Sequence, residues 1–155
     1  MVDLPSSTPL PAEAVPIFDR FARTVSERLG VPVALVSLVD VNGQVFPGAF
    51  GLPQPWDDER WTPLSHSFCQ HVVTSGEPLV VANAHDTPLV AENLAIMELG
   101  VIAYAGVPLR VGGGQVIGSM CAIDHSPRAW TDLELDELTA IAAECSAAIA
   151  VVPLD

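Results

Sequence analysis

Lysine is absent from the 155 residues, so six arginines carry all the fixed positive charge against nineteen acidic residues, for a formal net charge of −13. A chain this short of cations repels nucleic acid and anionic lipid, because both are bound by basic surfaces that displace counterions. Neither a nucleic acid nor a membrane is expected as a partner, and the acidity reads as solubility. Long apolar runs are also missing. The most apolar segment, 141–154, is interrupted by Glu144 and Pro153 and is too short to cross a bilayer. No lysine or arginine lies in the first nineteen residues, which leaves no charged start for a secretory signal. Cysteine is rare, with three copies widely spaced at Cys69, Cys121 and Cys145. That odd count argues against a disulfide framework and for a reducing, cytoplasmic setting. There is no internal repeat, and no nucleophile, base and orienting group can be assembled into a catalytic set. The glycines of "VGGGQ" join two strands, so they read as a hairpin turn and not as a phosphate loop.

What is present is a chain that is 50% hydrophobic, enough for one domain with a substantial core. Residues 1–13 read as a flexible, proline-containing lead-in and 14–152 as the domain. A helix is expected from Ala14 or Val15 to Leu29, with Phe18, Phe21, Ala22, Val25 and Leu29 on one face and Gly30 as its stop. Val33 to Val39 and Val45 to Phe50 read as strands turned by Asn42-Gly43, and Pro47 marks an edge or a bulge. A long loop, "GLPQPWDDERWTPL", follows. Ser67 to Ser75 reads as a short helix with a Ser67/Gln70 capping pattern, Pro78 to Ala82 as a strand, and Leu89 to Leu99 as a further helix. Strands Val101 to Val111 and Gln115 to Asp124 come next. The last helix has a Thr131/Glu134 capping box, a Trp130/Leu135 staple, and a stripe of Leu138, Ile141, Ala142, Cys145 and Ile149. The order implies an α+β fold. Its antiparallel strands would be covered on one face by the first and last helices.

Some residues stand out for their chemistry. Alternation along the fourth strand sets Val101, Ala103, Ala105, Val107 and Leu109 on one face and Tyr104, Gly106 and Pro108 on the other. Tyr104 offers a ring and a hydroxyl, either to a cavity or to the backbone of the core. Cys69 lies near a helix start, where a thiolate is favoured, and Cys121 is a second candidate thiol; both also suit plain burial. Cys145 belongs to the apolar stripe of the last helix. A zinc site is disfavoured by geometry. Cys69 and His71 point about 200° apart on a helix, and Cys121 and His125 lie about 13 Å apart along a strand. Trp56 and Trp61 flank "DDER" and suit either a lid or a sheet edge. His85, Asp86 and Asn93 cluster near the third helix, and Asp86 equally suits a helix cap.

From about Phe18 to Ala150 the chain resembles a GAF domain, the small-molecule-binding sensory module of signalling proteins. The resemblance rests on "GLP" at Gly51, "SFCQHVV" at Ser67, "GEPLVVANA" at Gly76, "YAGVPL" at Tyr104 and "GSMCAIDHSPRAWT" at Gly118. It implies a central antiparallel sheet of five or six strands, with the terminal helices on one face and a ligand pocket under short helices and loops on the other. Carried onto this sequence, the ligand-binding residues would be Tyr104, Phe68, Cys69, Asn83, Trp61, Cys121 and Met120. Pairing through the terminal helices would make a homodimer using Phe21, Val25, Leu138, Ile141, Cys145 and Ile149, with a possible effector domain beyond.

The sequence also departs from the family branch. Asn83 stands where an aspartate is frequent, and Ile102 and Ala103 where a basic residue often precedes the tyrosine. No arginine or lysine lies between Arg60 and Arg110, which weighs against an anionic ligand such as a cyclic nucleotide. The Asn-Lys-Phe-Asp-Glu motif of cyclic-nucleotide-regulated relatives is absent. The cofactor is unknown. Haem or bilin is disfavoured, since the chromophore-binding branch has histidine directly after cysteine and here Gln70 intervenes. The expectation is a non-catalytic regulatory domain. Its alternatives are a thiol-based reductase of free methionine sulfoxide, using Cys69 and Cys121, and a pure dimerisation module.

Overall fold

The structure, a computed structural model, describes residues 14–149. The expected lead-in at 1–13 and the domain end at 150–152 lie outside the described residues. Helix α1 (Pro16–Leu29) opens on a proline, whose fixed φ suits the first turn, and stops at Gly30 with φ 68°. Strands β1 (Val33–Asp40) and β2 (Gly43–Phe50) form the expected hairpin. Between Val36↔Gly48 and Leu38↔Val45, two residues of β2 oppose one of β1. Pro47 sits in that bulge, where no ladder N–H is needed.

A short helix α2 (Trp56–Glu59) and a two-residue strand β3 (Trp61–Thr62) occupy the loop that sequence periodicity could not divide. Then come α3 (Cys69–Ser75), β4 (Leu79–Val81) and α4 (Ala95–Leu99). The helix expected from Leu89 is confined to α4. The Asn93 side chain accepts the Ala95 N–H, and the Leu94 N–H bonds to the Ser65 carbonyl, so both turn away from a continuing helical ladder. Strands β5 (Ala103–Val111) and β6 (Gln115–Asp124) and helix α5 (Asp132–Ile149) complete the domain. The strands form one antiparallel sheet of six, in the order β3-β2-β1-β6-β5-β4.

The capping box is present at the start of α5. Glu134 N–H donates to Thr131 Oγ1 at 3.1 Å, and Thr131 N–H to Glu134 Oε1 at 2.9 Å. Arg128 ties this corner to the end of α1. It bonds the carbonyls of Leu29 and Gly30, pairs with Asp124 and Glu134, and lies 4.9 Å from the Trp130 ring centroid.

One face of the sheet packs against α1 and α5. Ala34, Val36, Ala105, Val107, Met120 and Ala122 meet Phe18, Val25, Leu138, Ile141, Cys145 and Ile149 there. This overturns two expectations. Val25, Leu138, Ile141, Cys145 and Ile149 are buried against the chain's own sheet and are not free to form a dimer interface; Phe21 is half-buried beside them. The small side chains of Ala105 and Ala122 let the helices settle closely, so the apolar stripe is used inside the monomer. Met120 belongs to the same layer and not to a ligand site. Period-two alternation along β6 turns Met120 and Ala122 to the helices, while Cys121 and Ile123 face the other way.

Candidate functional site

On the opposite face, β1, β5 and β6 carry a floor over which α3 and α4 lie. Strand register decides what gathers there. Ser37 pairs with Ser119 across β1 and β6, Leu35 with Cys121, and Gly106 of β5 with Cys121 from the other side. Tyr104 is 1% exposed. Its ring leans back along β5 over Gly106, where a β-carbon would fall within 2.6 Å of ring atoms Cε1 and Cζ. The missing side chain therefore lets the tyrosine hydroxyl reach 3.1 Å from Ser119 Oγ and 3.0 Å from Cys69 Sγ, in the first turn of α3. Phe68 packs on the same ring at 5.2 Å between centroids, tilted by 42°.

Two thiols and three hydroxyls thus converge in a buried site that no arginine lines among the described residues. Burial opposes a thiolate at Cys69, but hydrogen bonds from Cys121, Tyr104, Ser37 and Ser119 together outweigh it and bring Cys69 down to about 7. Burial, together with the neighbouring Cys69, pushes Cys121 and Tyr104 well up, so both stay protonated and can donate to Cys69. Cys145, on the helix side, is pushed up to about 12 by burial alone.

A second polar group braces the site. Gln44 accepts from Ser67 Oγ at 2.7 Å and Ser37 Oγ at 3.2 Å, and its amide donates to Thr62 Oγ1 at 2.8 Å and the His66 carbonyl at 3.1 Å. All four bonding positions of that buried amide are used, which pins the 62–67 segment to β2. Ser67 also accepts the Gln70 N–H at 3.1 Å, while the Gln70 side chain bonds the Leu64 and Ser67 carbonyls.

Between sheet and cover lies a cavity of about 20 Å³, walled by Leu35, Gln44, His66, Phe68, Cys69 and Tyr104 among others. That space holds roughly one water, against several hundred Å³ for an organic ligand. His66, 8% exposed, stacks beside Trp56 at 5.4 Å. Its Nε2 lies 3.0 Å from Glu98 Oε2 of α4, without the alignment of a hydrogen bond. A wider groove of about 470 Å³ runs outside, between α5 and β5, past Arg110, Thr139 and Ser146.

Of the expected ligand residues, Tyr104, Phe68 and Cys69 line the cavity, and Cys121 sits in the polar cluster beside Cys69. Asn83 is elsewhere. It caps the 3-10 turn Ala84–Asp86, accepting the His85 N–H and donating to Asp86. Trp61 is also displaced, 40% exposed on the sheet-edge strand β3, and Trp56 takes the place beside the cavity. Gln44, His66, Ser37 and Ser119 are not among the expected ligand residues. The available signal was a serine inside each of two otherwise apolar strands, since buried hydroxyls require partners. Among the described residues no three histidine, cysteine or acidic side chains are grouped to hold a metal. The residues do not fit a haem or a bilin either. Cys69 is buried beneath Phe68 and Tyr104, His71 does not line the cavity, and the space is far smaller than a macrocycle.

The sequence model of the GAF domain matches residues 13–149. A protein of Pseudomonas aeruginosa named as a cyclic di-GMP phosphodiesterase is 32% identical over 113 residues, which cover 72% of this chain and 18% of that protein. The chain thus spans about a fifth of that relative. Two solved structures share the fold. The blue-light-absorbing form of the PixJ GAF domain of Thermosynechococcus elongatus aligns with a TM-score of 0.70 at 22% identity, over 86% of this chain and 83% of that one. A type II free methionine-R-sulfoxide reductase of Thermoplasma acidophilum aligns at 0.68 and 14% identity, over 85% and 89%.

Proposed function

The chain belongs to the GAF domain family, and from that premise we propose that it is a non-catalytic regulatory domain of a bacterial signalling protein, cytoplasmic, that binds a small molecule over the Tyr104 face of its sheet. The observation that carries this reading is the cavity floored by Tyr104 and covered by Phe68 and short helices. Its walls are apolar except at Gln44, His66, Cys69 and Tyr104, the lining of a binding site for a mostly apolar ligand with one or two polar atoms. No arginine lines it, so an anionic ligand has no charge partner there. At its present volume the cavity must expand to take an organic molecule. The movable part is the 52–100 cover, where α4 has five residues and the Asn93 and Gln70 side chains hold loops rather than long helices. Binding would shift the population toward an open arrangement of that cover, and the sheet would pass the strain to α1 and α5. Any homodimer would use the exposed sides of those helices, since their apolar stripes are buried. A downstream effector domain is the natural listener.

The test is native mass spectrometry with an absorption spectrum on freshly purified protein, followed by thermal-shift screening of small neutral aromatics. A co-purifying mass or a stabilising compound, lost in a folded Phe68→Ala variant, is expected. A clean protein mass with no stabilising compound would sink the reading and favour a module that only dimerises. The competing enzyme reading, reduction of free methionine sulfoxide, draws support from the two thiols in one buried cluster and needs the same expansion of the cavity. Sulfoxide-dependent turnover that vanishes in Cys69→Ser would establish it.

A further inference from the structure

The geometry points to Cys69 and Cys121 as a peroxide-sensing thiol pair that closes to an intramolecular disulfide, with Tyr104, Ser37 and Ser119 as the hydroxyls that serve the reacting sulfur. This goes beyond ligand binding. It uses the same cavity but needs no organic ligand, so its failure would leave the binding proposal standing.

Three observations converge. First, both thiols border one buried hydroxyl: Cys69 Sγ, from α3, lies 3.0 Å from the Tyr104 hydroxyl, which reaches 3.1 Å to Ser119 and whose ring crosses Gly106, the β5 partner of Cys121 on β6. Second, the pair is asymmetric. Cys69, held down to about 7, is about half ionised at neutral pH, while Cys121 remains protonated. One sulfur is set up to attack and the other to resolve. The gain is moderate, because a lower midpoint raises the thiolate fraction by about fiftyfold but lowers its nucleophilicity by roughly eightfold. Third, Cys69 lines the cavity, and that cavity accepts a molecule close to the size of water. Hydrogen peroxide fits that description, and an organic hydroperoxide does not. Cys145 takes no part, being buried on the far face of the sheet.

The chemistry balances as follows. The Cys69 thiolate attacks one peroxide oxygen, the O–O bond breaks, and the departing hydroxide takes a proton and leaves as water. Tyr104, 3.0 Å from the sulfur and linked to Ser119 at 3.1 Å, is placed to donate to the departing oxygen. The product is a sulfenic acid at Cys69. The Cys121 sulfur then attacks the Cys69 sulfur, the S–O bond breaks, and a second water leaves with the Cys121 proton. Two thiols and one peroxide become one disulfide and two waters. Each sulfur loses one electron, and the peroxide oxygens gain two. A disulfide there would staple the first turn of α3 to the middle of the sheet, fixing the cover over the cavity.

The test treats reduced protein with hydrogen peroxide, removes the oxidant, unfolds the protein in denaturant so that the buried thiols are reachable, blocks those remaining with N-ethylmaleimide, and maps the products by mass. Met97, 86% exposed, reports oxidant dose, and Cys145 is the internal unreactive thiol. Expected are loss of two hydrogens, a linked Cys69–Cys121 peptide, and alkylation at Cys145 alone. The rate should follow a midpoint near 7, set by Cys69 among its titratable neighbours Tyr104, Cys121 and His66. Cumene hydroperoxide should react at least about tenfold more slowly, because the packed walls exclude it. In Cys121→Ser the sulfenic acid should persist and be trapped by dimedone. The proposal is overturned if Met97 is converted to sulfoxide while both thiols remain alkylatable, if the link formed includes Cys145, or if Cys69 goes directly to sulfinic acid. Should Cys121→Ser fail to fold, the wild-type peptide map and pH profile decide alone.

Discussion

The two faces of this sheet are built from alternate residues of the same strands, yet they differ in nearly every physical property. On the helix side, Met120, Val107 and Leu109 meet two long helices in an apolar layer. On the cavity side, Ser37 bonds Gln44, and Tyr104 bonds both Ser119 and Cys69, under pieces of helix four to seven residues long. Long packed helices give global stability, whereas short elements held by a few polar bonds open at lower free energy. The same six strands therefore support a rigid side and a side able to respond. A residue's parity in β6 decides which it joins, as neighbours Met120 and Cys121 show.

The largest expected effect tests the rigid side. Phe18 is fully buried between α1 and the sheet, so Phe18→Ala should destabilise the domain by about 3–5 kcal/mol. Denaturant unfolding measures this, and a loss under about 1 kcal/mol would mean that the helices are not the main support. Gly106→Ala should have a smaller and more local effect. Its methyl group would push the Tyr104 ring off the strand, with a stability loss of about 1–3 kcal/mol. The thiolate absorbance of Cys69 should titrate at higher pH in that variant, because its tyrosine partner is displaced. An unchanged titration would separate the tyrosine from the thiol and break the proposed network.

Much of this contrast could be read from the sequence, and the failures have particular causes. The terminal helices, both hairpins, the Pro47 bulge and the Thr131/Glu134 box follow from local rules that need no tertiary information. Tyr104 followed from alternation along one strand. Met120 does not share a face with Cys121, because neighbours on one strand point to opposite sides of the sheet, and alternation within β6 alone carries that distinction. The interface residues Leu138, Ile141 and Cys145 were misread for another reason. An apolar stripe shows that a helix is covered, not whether its own sheet or a second copy covers it. Asn83 and Trp61 lie in loops whose paths depend on capping and edge pairing. Gln44 has no local signature, since its role exists only when Thr62, His66 and Ser67 fold back over it.

The pH response of the cavity face sharpens the comparison further. Cys69 has a folded midpoint of about 7, below the usual thiol value. A depressed acid adds stability that is fully present above its unfolded midpoint and is lost as pH falls through the folded one. Relative to Cys69→Ser, the wild type should therefore gain about 1–3 kcal/mol between pH 7 and pH 9. Cys145 has the opposite sign. Burial raises its midpoint to about 12, so its contribution is lost as pH climbs above the ordinary thiol range. Cys145→Ala should thus flatten the alkaline fall in stability that Cys69→Ser leaves in place. Equal pH profiles for the two variants would mean that both thiols are simple packing atoms and that the sheet's faces do not differ in this respect.

The smallest effect concerns the corner that joins the rigid side to its own termini. Thr131→Ala removes one half of the capping box of α5 and should lower stability by about 1 kcal/mol. Arg128 shares Glu134 with that box, while also holding the Leu29 and Gly30 carbonyls at the end of α1. Losing the Thr131 hydroxyl frees Glu134 for Arg128 alone, so the link between α1 and α5 should persist while the first turn of α5 frays. Amide hydrogen exchange can separate the two. Faster exchange confined to the residues just after Thr131 would fit a local cap, whereas faster exchange at the end of α1 as well would make this corner the mechanical joint between the terminal helices.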